Sequence, residues 1–151
     1  MVIRLADGRV VANDHREKAP ILATKDMYLD ANAEVIKGLS TRSHLAAGVP
    51  GTVAGLIDVL EKFGTMSLSE VIQPAIDLAS EGFLVPEDLV RQFESRIKDF
   101  TPYNASMAVF TKDGIPYQAG ELFIQTDLSR TLSRIKQLGK SGFYEGETAK
   151  L

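Results

Sequence analysis

Cysteine and tryptophan are absent from this chain of 151 residues, and histidine occurs only twice, as His15 and His44. Without cysteine there can be no disulfide, no thiolate metal site and no cysteine nucleophile. Two histidines far apart in the sequence leave little for imidazole chemistry. No stretch approaches the roughly 18 consecutive apolar residues that a membrane helix needs, so we expect no membrane span. These absences exclude most self-contained catalytic sites.

An excess of basic residues is also missing, since 17 Lys and Arg stand against 20 Asp and Glu for a net charge of −3. A nucleic-acid-binding surface needs clustered Lys and Arg, so we expect no nucleic-acid partner. Hydrophobic residues make up 44% of the chain and charged residues 25%, which is typical of a globular protein. Length and composition predict one domain over residues 1–151 without an internal linker.

Hydrophobic spacing predicts a helix-rich α+β fold that begins with a β-hairpin. Two β-branched runs within residues 1–13 flank the turn Ala6-Asp7-Gly8, which is typical of a hairpin. Two further strands are predicted late in the chain, at Met107–Thr111 and Glu121–Gln125. Residues 145–151 look like the start of another helix.

Four main helices are predicted between these strands, each from apolar residues at three- and four-residue spacing. The Ser67/Glu70 pair is typical of a capping box, Pro74 should bend its helix, and glycines mark several ends. The predicted helices and their apolar stripes are Val53, Leu56, Ile57 and Leu60 before Gly64; Leu68, Val71, Ile72, Ala75, Ile76 and Ala79 before Gly82; Leu89, Val90, Phe93 and Ile97 after Pro86 as first residue; and Leu128, Leu132, Ile135 and Leu138 after a Thr126 or Asp127 cap and before Gly139.

Arg16 is the strongest candidate for function among the side chains. It follows a predicted strand, and a guanidinium there can hold a carboxylate through two parallel hydrogen bonds. The alternative is an ordinary surface arginine paired with Asp14 or Glu17, and composition alone favours that alternative.

Two other interpretations of nearby segments are weaker. Asp14, His15 and Glu17 match no metal-ligand spacing, so we predict neither a metal nor a cofactor. Glycines 48 and 51 open a helix and could present amides to an anion, but the segment lacks phosphate-binding spacing. A packing turn is the favoured interpretation of this segment.

Several stretches taken together resemble the large subunit of the gamma-glutamyltransferase (glutathione hydrolase) family. They occur in the expected order across nearly the whole chain. The stretches are Arg16-Glu17-Lys18-Ala19-Pro20, Met27-Tyr28, Gly48-Val49-Pro50-Gly51-Thr52-Val53-Ala54-Gly55-Leu56, Phe63-Gly64-Thr65, Pro74-Ala75-Ile76-Asp77-Leu78-Ala79-Ser80-Glu81-Gly82-Phe83 and Phe143-Tyr144-Glu145-Gly146.

The resemblance implies an interior fragment of the large subunit of an αββα N-terminal nucleophile hydrolase, so residues 1–151 would form a single partial domain. It implies cleavage of γ-glutamyl amides such as glutathione, with transfer to water or an acceptor, by a threonine that autoproteolysis exposes on the small subunit. We therefore expect no catalytic residue in this chain. Arg16 resembles the family arginine that binds the substrate α-carboxylate. The resemblance therefore favours a functional Arg16, whereas composition alone favoured an ordinary surface arginine. His15 stands where an aromatic residue is more usual.

Further expectations concern partners and location. The rest of the large subunit and the small subunit of the same precursor should be partners, and a fragment alone should be inactive and self-associate. The resemblance suggests a periplasmic or extracellular protein whose signal peptide lies outside the fragment. The alternative function is a non-enzymatic helical partner-binding module that has diverged from this family.

Overall fold

The computed structural model describes residues 1–151 and is about half helical. The chain divides into two compact units, Met1–Thr65 and Met66–Leu151. Whether residues 1–151 form one partial domain stays a prediction. The helices are α1 (Leu39–Arg42), α2 (Thr52–Phe63), α3 (Leu68–Glu81), α4 (Glu87–Phe100), α5 (Asn104–Phe110), α6 (Thr126–Leu138), α7 (Ser141–Tyr144) and α8 (Gly146–Lys150). The strands are β1 (Val2–Arg4), β2 (Val10–Ala12), β3 (Glu17–Lys18), β4 (Val49–Pro50), β5 (Phe83–Leu84), β6 (Thr111–Lys112), β7 (Ile115–Pro116) and β8 (Leu122–Phe123).

The first unit contains two small antiparallel sheets and the helix α2. Strands β1 and β2 form the predicted hairpin, with Ile3 opposite Val11. Strand β3 pairs with β4, which brings Glu17 opposite Pro50 and Lys18 opposite Val49. The long connection between β3 and β4 is mostly loop and contains the short helix α1. This pairing places the segment after the hairpin directly beside the start of α2.

The second unit is organised around an aromatic core and a helix pair. Val85, Phe93 and Phe123 are buried together. Phe93 lies 5.5 Å from Phe123 between ring centroids, and Phe100 stacks on Phe110 at 4.9 Å. Strand β5 pairs with β8, so Phe83 lies opposite Phe123. Helices α3 and α6 pack against each other elsewhere in the unit.

The four main helices are confirmed as α2, α3, α4 and α6, each 12 to 14 residues long. The capping box is also confirmed: the backbone N–H of Glu70 donates to the Ser67 hydroxyl at 3.3 Å, and the Glu70 carboxylate accepts the Ser67 amide at 2.8 Å. Pro74 lies inside α3. None of the helices is both long enough and apolar enough to serve as a membrane crossing.

The predicted strand over Met107–Thr111 is wrong, because residues 104–110 form the helix α5 and only Thr111 begins a strand. Short apolar runs do not distinguish a helix from a strand by periodicity. The helical conformation places Phe110 against Phe93 and Phe100, and this aromatic packing outweighs the β preference of Val109. The late strand predicted at Glu121–Gln125 exists but is limited to Leu122–Phe123.

Two helix starts also differ from prediction. The carbonyl of Gln125 accepts the Ser129 amide at 3.0 Å, so Gln125 is the N-cap of α6 rather than Thr126 or Asp127. The backbone N–H of Gln125 in turn donates a 2.9 Å hydrogen bond to the Ala79 carbonyl oxygen. Pro86 is the N-cap of α4 rather than its first residue, since its extended backbone leaves the helix to begin at Glu87.

Some residues predicted to face inward are exposed. Leu56 keeps 47% of its surface exposed, and the buried residues of α2 are Gly55 and Ile57. The other stripe residues that face solvent are Val71, Ala75, Leu128 and Leu138. On α2 the glycine face also packs closely against another chain segment, and a hydrophobic pattern does not reveal this contact.

Candidate functional site

Arg16 lies immediately before β3, and its side chain is 88% exposed. Its guanidinium forms an ion pair with the neighbouring Glu17 carboxylate at 3.2 Å. An exposed pair of this kind contributes little, about 0–1 kcal/mol, because water competes for both charges. A carboxylate on a ligand could therefore replace Glu17 at low cost.

The backbone of Arg16 is held in place although its side chain is exposed to solvent. The Arg16 carbonyl oxygen accepts a 2.9 Å hydrogen bond from the Gly51 amide, one residue beyond the β3–β4 pairing. Gly51 is also the N-cap of α2, and its own carbonyl accepts the Gly55 amide at 2.9 Å. The helix start and the Arg16 backbone are thus directly connected.

The neighbouring His15 side chain is held by a chain of polar contacts. Its Nδ1 donates to the Asn13 side-chain oxygen, because the Asn13 amide nitrogen is already donating to Asp58 at 3.2 Å. Asp58 lies on α2 and also accepts the Lys62 ammonium at 2.7 Å. The imidazole is therefore tied to α2, while the adjacent Arg16 side chain extends into solvent.

Gly51 and Gly55 allow α2 to approach residues 15 and 16 closely. A Cβ built on Gly51 would lie 2.8 Å from the His15 carbonyl carbon and collide with its oxygen. A Cβ built on Gly55 would collide with Cβ and Cγ of His15. Real Cβ atoms essentially never approach that closely. The packing-turn interpretation of this glycine segment is confirmed, and the Gly51 amide is already used by the Arg16 carbonyl.

A cavity of about 190 Å³ lies beside the same segment. It brings together three of the stretches on which the resemblance was based, since Glu17–Pro20, Met27-Tyr28 and Gly48 all line it. The Tyr28 hydroxyl donates to the Leu45 carbonyl at 3.0 Å and so ties two of its walls together. The structure contains no group of three or more His, Asp or Glu placed to hold a metal ion.

The sequence pattern predicted Arg16 as the candidate site residue but did not indicate which residues hold the adjacent His15. Asn13, Gly55 and Asp58 were not singled out, although all three contact the His15 side chain or its hydrogen-bond partner. A sequence signal does exist, because Gly51, Gly55 and Asp58 recur at helical spacing on one face of α2. The hydrophobic stripe drew attention to a different face.

Comparison with known proteins places this arrangement in a family. The model of the gamma-glutamyltranspeptidase family matches residues 1–151, and the chain belongs to this family. It is 49% identical over 150 residues to the glutathione hydrolase proenzyme of Pseudomonas sp. (strain A14), and 41% identical over 150 residues to that of Escherichia coli (strain K12). Each match covers 99% of this chain and 26% of the relative.

A solved structure agrees with these relationships. The crystal structure of Helicobacter pylori gamma-glutamyltranspeptidase superposes with a TM-score of 0.94 at 46% identity, covering 99% of this chain and 43% of that one. The chain therefore spans about a quarter of the length of these curated relatives. The fold of the present residues is that of the corresponding part of a gamma-glutamyltranspeptidase.

Proposed function

We propose that these residues form part of a gamma-glutamyltransferase that cleaves γ-glutamyl amides such as glutathione and passes the γ-glutamyl group to water or an acceptor amino acid or peptide. Family membership over the whole chain is the observation that carries this proposal. The proposed nucleophile is a threonine outside residues 1–151, whose own amine activates its hydroxyl. The proposed partners are the rest of the large subunit and the small subunit of the same precursor, within an αββα sandwich. The comparisons do not favour the alternative of a non-enzymatic module.

In this proposal Arg16 binds the α-carboxylate of the γ-glutamyl substrate. Its exposed guanidinium and its weak ion pair with Glu17 support this role, because both leave the donors accessible. The fixed backbone of Arg16 supports it further, since a planar guanidinium gains most from a carboxylate when its direction is set in advance. The other contributions of residues 1–151 are then structural.

The test is Arg16→Lys in the processed enzyme that contains this chain, assayed with two substrates. One is a γ-glutamyl anilide, and the other is a 4-aminobutanoyl anilide, which has the same scissile bond but no α-carboxylate. Lysine keeps the charge but loses the two-bond fork, so KM for the γ-glutamyl anilide should rise about 10- to 150-fold, corresponding to about 1.5–3 kcal/mol. KM for the analogue should stay the same.

Arg9→Lys is the matched control, because Arg9 is also an exposed arginine of the first unit that is paired with a neighbouring acidic residue, Asp7 at 2.7 Å. It should leave both KM values unchanged. An unchanged KM for the γ-glutamyl anilide in Arg16→Lys, or an equal rise for both substrates, would rule out α-carboxylate binding by Arg16.

A further inference from the structure

Three glycines, one just before β4, one at the N-cap of α2 and one in its first turn, face the segment that carries Arg16, and each leaves a different amount of space. At Gly48 an added Cβ would lie 3.0–3.2 Å from Glu17 side-chain atoms and the Lys18 carbonyl, which is tight. At Gly51 it would collide with the His15 backbone carbonyl, and at Gly55 with the root of the His15 side chain. The space is therefore smallest at the two glycines nearest to Arg16.

The effect of adding a side chain at Gly51 or Gly55 depends on whether the atoms that it would meet can move away. The obstacle at Gly51 is backbone, which cannot rotate away as the end of a flexible side chain can. The obstacle at Gly55 is Cβ and Cγ of His15, whose ring is hydrogen-bonded to Asn13, and Asn13 is in turn bonded to Asp58. A methyl group at either position would therefore displace residues 15 and 16 together instead of moving one side-chain tip.

We propose that Gly51 and Gly55 are positioning residues for Arg16: the absence of their side chains lets α2 hold the His15–Arg16 backbone where the guanidinium can meet a carboxylate. Gly51 does so through its bond to the Arg16 carbonyl, and Gly55 by receiving the His15 side chain. This inference rests on the proposed role of Arg16. Displacement of a binding group by about 1 Å is enough to weaken an oriented interaction by one to two orders of magnitude.

The experiment compares Gly51→Ala and Gly55→Ala with Arg16→Lys in the processed enzyme, using the same pair of anilides. Each alanine variant should raise KM for the γ-glutamyl anilide about tenfold, with kcat within about threefold of the parent. KM for the 4-aminobutanoyl anilide should not change. The measured quantity is the KM ratio, defined as KM for the γ-glutamyl anilide divided by KM for the 4-aminobutanoyl anilide. A rise in this ratio reports weaker recognition of the α-carboxylate.

Gly142→Ala separates positioning from general damage to the fold. Gly142 lies in α7 and is buried, and its added Cβ would likewise collide with backbone, at the Arg134 carbonyl. It should lower the unfolding midpoint as much as Gly51→Ala does but leave the KM ratio unchanged. If the ratio instead rises in all three alanine variants in proportion to their loss of stability, Gly51 and Gly55 have only a structural role.

Two variants of His15 keep the inference testable if the alanine variants do not yield processed enzyme. His15→Ala removes the ring without crowding α2, and it should raise the KM ratio about threefold in a folded enzyme. His15→Gly combined with Gly55→Ala removes the colliding atoms, and it should restore processing. An unchanged KM ratio in His15→Ala would then overturn the inference.

The outcomes distinguish the positioning role of Gly51 and Gly55 from the proposed carboxylate-binding role of Arg16. If Arg16→Lys raises the KM ratio and the folded glycine variants do not, only the positioning role is overturned. If Arg16→Lys itself has no effect, the carboxylate role of Arg16 is wrong and the positioning role is wrong with it.

Discussion

The backbone amide of Gly51 donates a 2.9 Å hydrogen bond to the carbonyl oxygen of Arg16. It extends the β3–β4 pairing by one bond and joins two segments that are far apart in the sequence. The arginine motif and the glycine motif on which the family resemblance was based are therefore one structural element. Predictions about either motif have to consider both.

Replacing His15 with phenylalanine tests the polar chain beside Arg16. The ring can still pack on Gly55, but its hydrogen bond to Asn13 is lost, so we expect a loss of about 1 kcal/mol in the free energy of unfolding. Urea denaturation followed by circular dichroism measures this. In a double-mutant cycle with Asn13→Ala, the two residues should show a coupling energy of similar size. A coupling near zero would contradict the structural account of His15.

The capping box of α3 should contribute measurably to stability. Ser67→Ala removes the hydroxyl that accepts the Glu70 amide, and we expect a loss of about 1 kcal/mol in the free energy of unfolding. Ser69→Ala, an exposed position in the first turn of the same helix, is the control. Since alanine is the better helix former there, it should be neutral or slightly stabilising. Equal effects of the two substitutions in chemical denaturation would disprove the cap.

Stability at low pH should depend on Glu121. The backbone N–H of Gln118 and the Lys112 ammonium both donate to the Glu121 carboxylate, and these hydrogen bonds lower the pKa of Glu121 below its ordinary value. A lowered pKa stabilises the fold above the ordinary value, and this contribution is lost as the pH falls through the pKa of the folded state.

Glu121→Gln cannot titrate, so its unfolding temperature should fall less than that of the parent between pH 6 and about pH 3. Thermal unfolding at a series of pH values measures the difference. Glu94→Gln on the exposed side of α4 is the control and should follow the parent curve. A Glu121→Gln curve parallel to the parent curve would show that the carboxylate contributes nothing.

We predict that a protein consisting of residues 1–151 alone self-associates. Ile21 and Leu22 in the β3–β4 connection are 99% and 87% exposed, and adjacent exposed apolar residues favour association. Replacing both with serine should shift the protein towards the monomer, whereas Lys25→Ser nearby should not. Size-exclusion chromatography with light scattering over a range of concentrations measures this, and a monomer at every concentration would refute the prediction.

The sequence was sufficient to predict the parts of the fold that local chemistry determines. The hairpin at residues 1–13 and the capping box at Ser67 depend on residues close together in the chain, and both predictions are confirmed. The predicted strand at 107–111 was wrong because this segment packs through Phe110 on Phe93 and Phe100, which lie outside it on another helix. Local preference cannot anticipate such packing.

At the candidate site, too, the sequence predicted a local motif but not the packing between segments far apart in the chain. Arg16 was predicted as a candidate from its motif, but the contact between His15 and Gly55 joins residues forty positions apart and involves a residue without a side chain. A hydrophobic stripe selects Leu56, which is exposed, and passes over its neighbour Gly55, which is buried. The face of a helix that receives another backbone is identified by its small residues, not by its apolar ones.

The contact between His15 and Gly55 also determines which substitutions this part of the molecule can accept. A side chain at position 55 fits without displacing its neighbours only if position 15 loses several atoms, so position 55 depends on position 15. Position 15 alone has more freedom, because a ring of similar size still fits over the glycine. Attempts to redirect the Arg16 side chain should therefore vary residue 15 and leave the adjoining helix α2 unchanged.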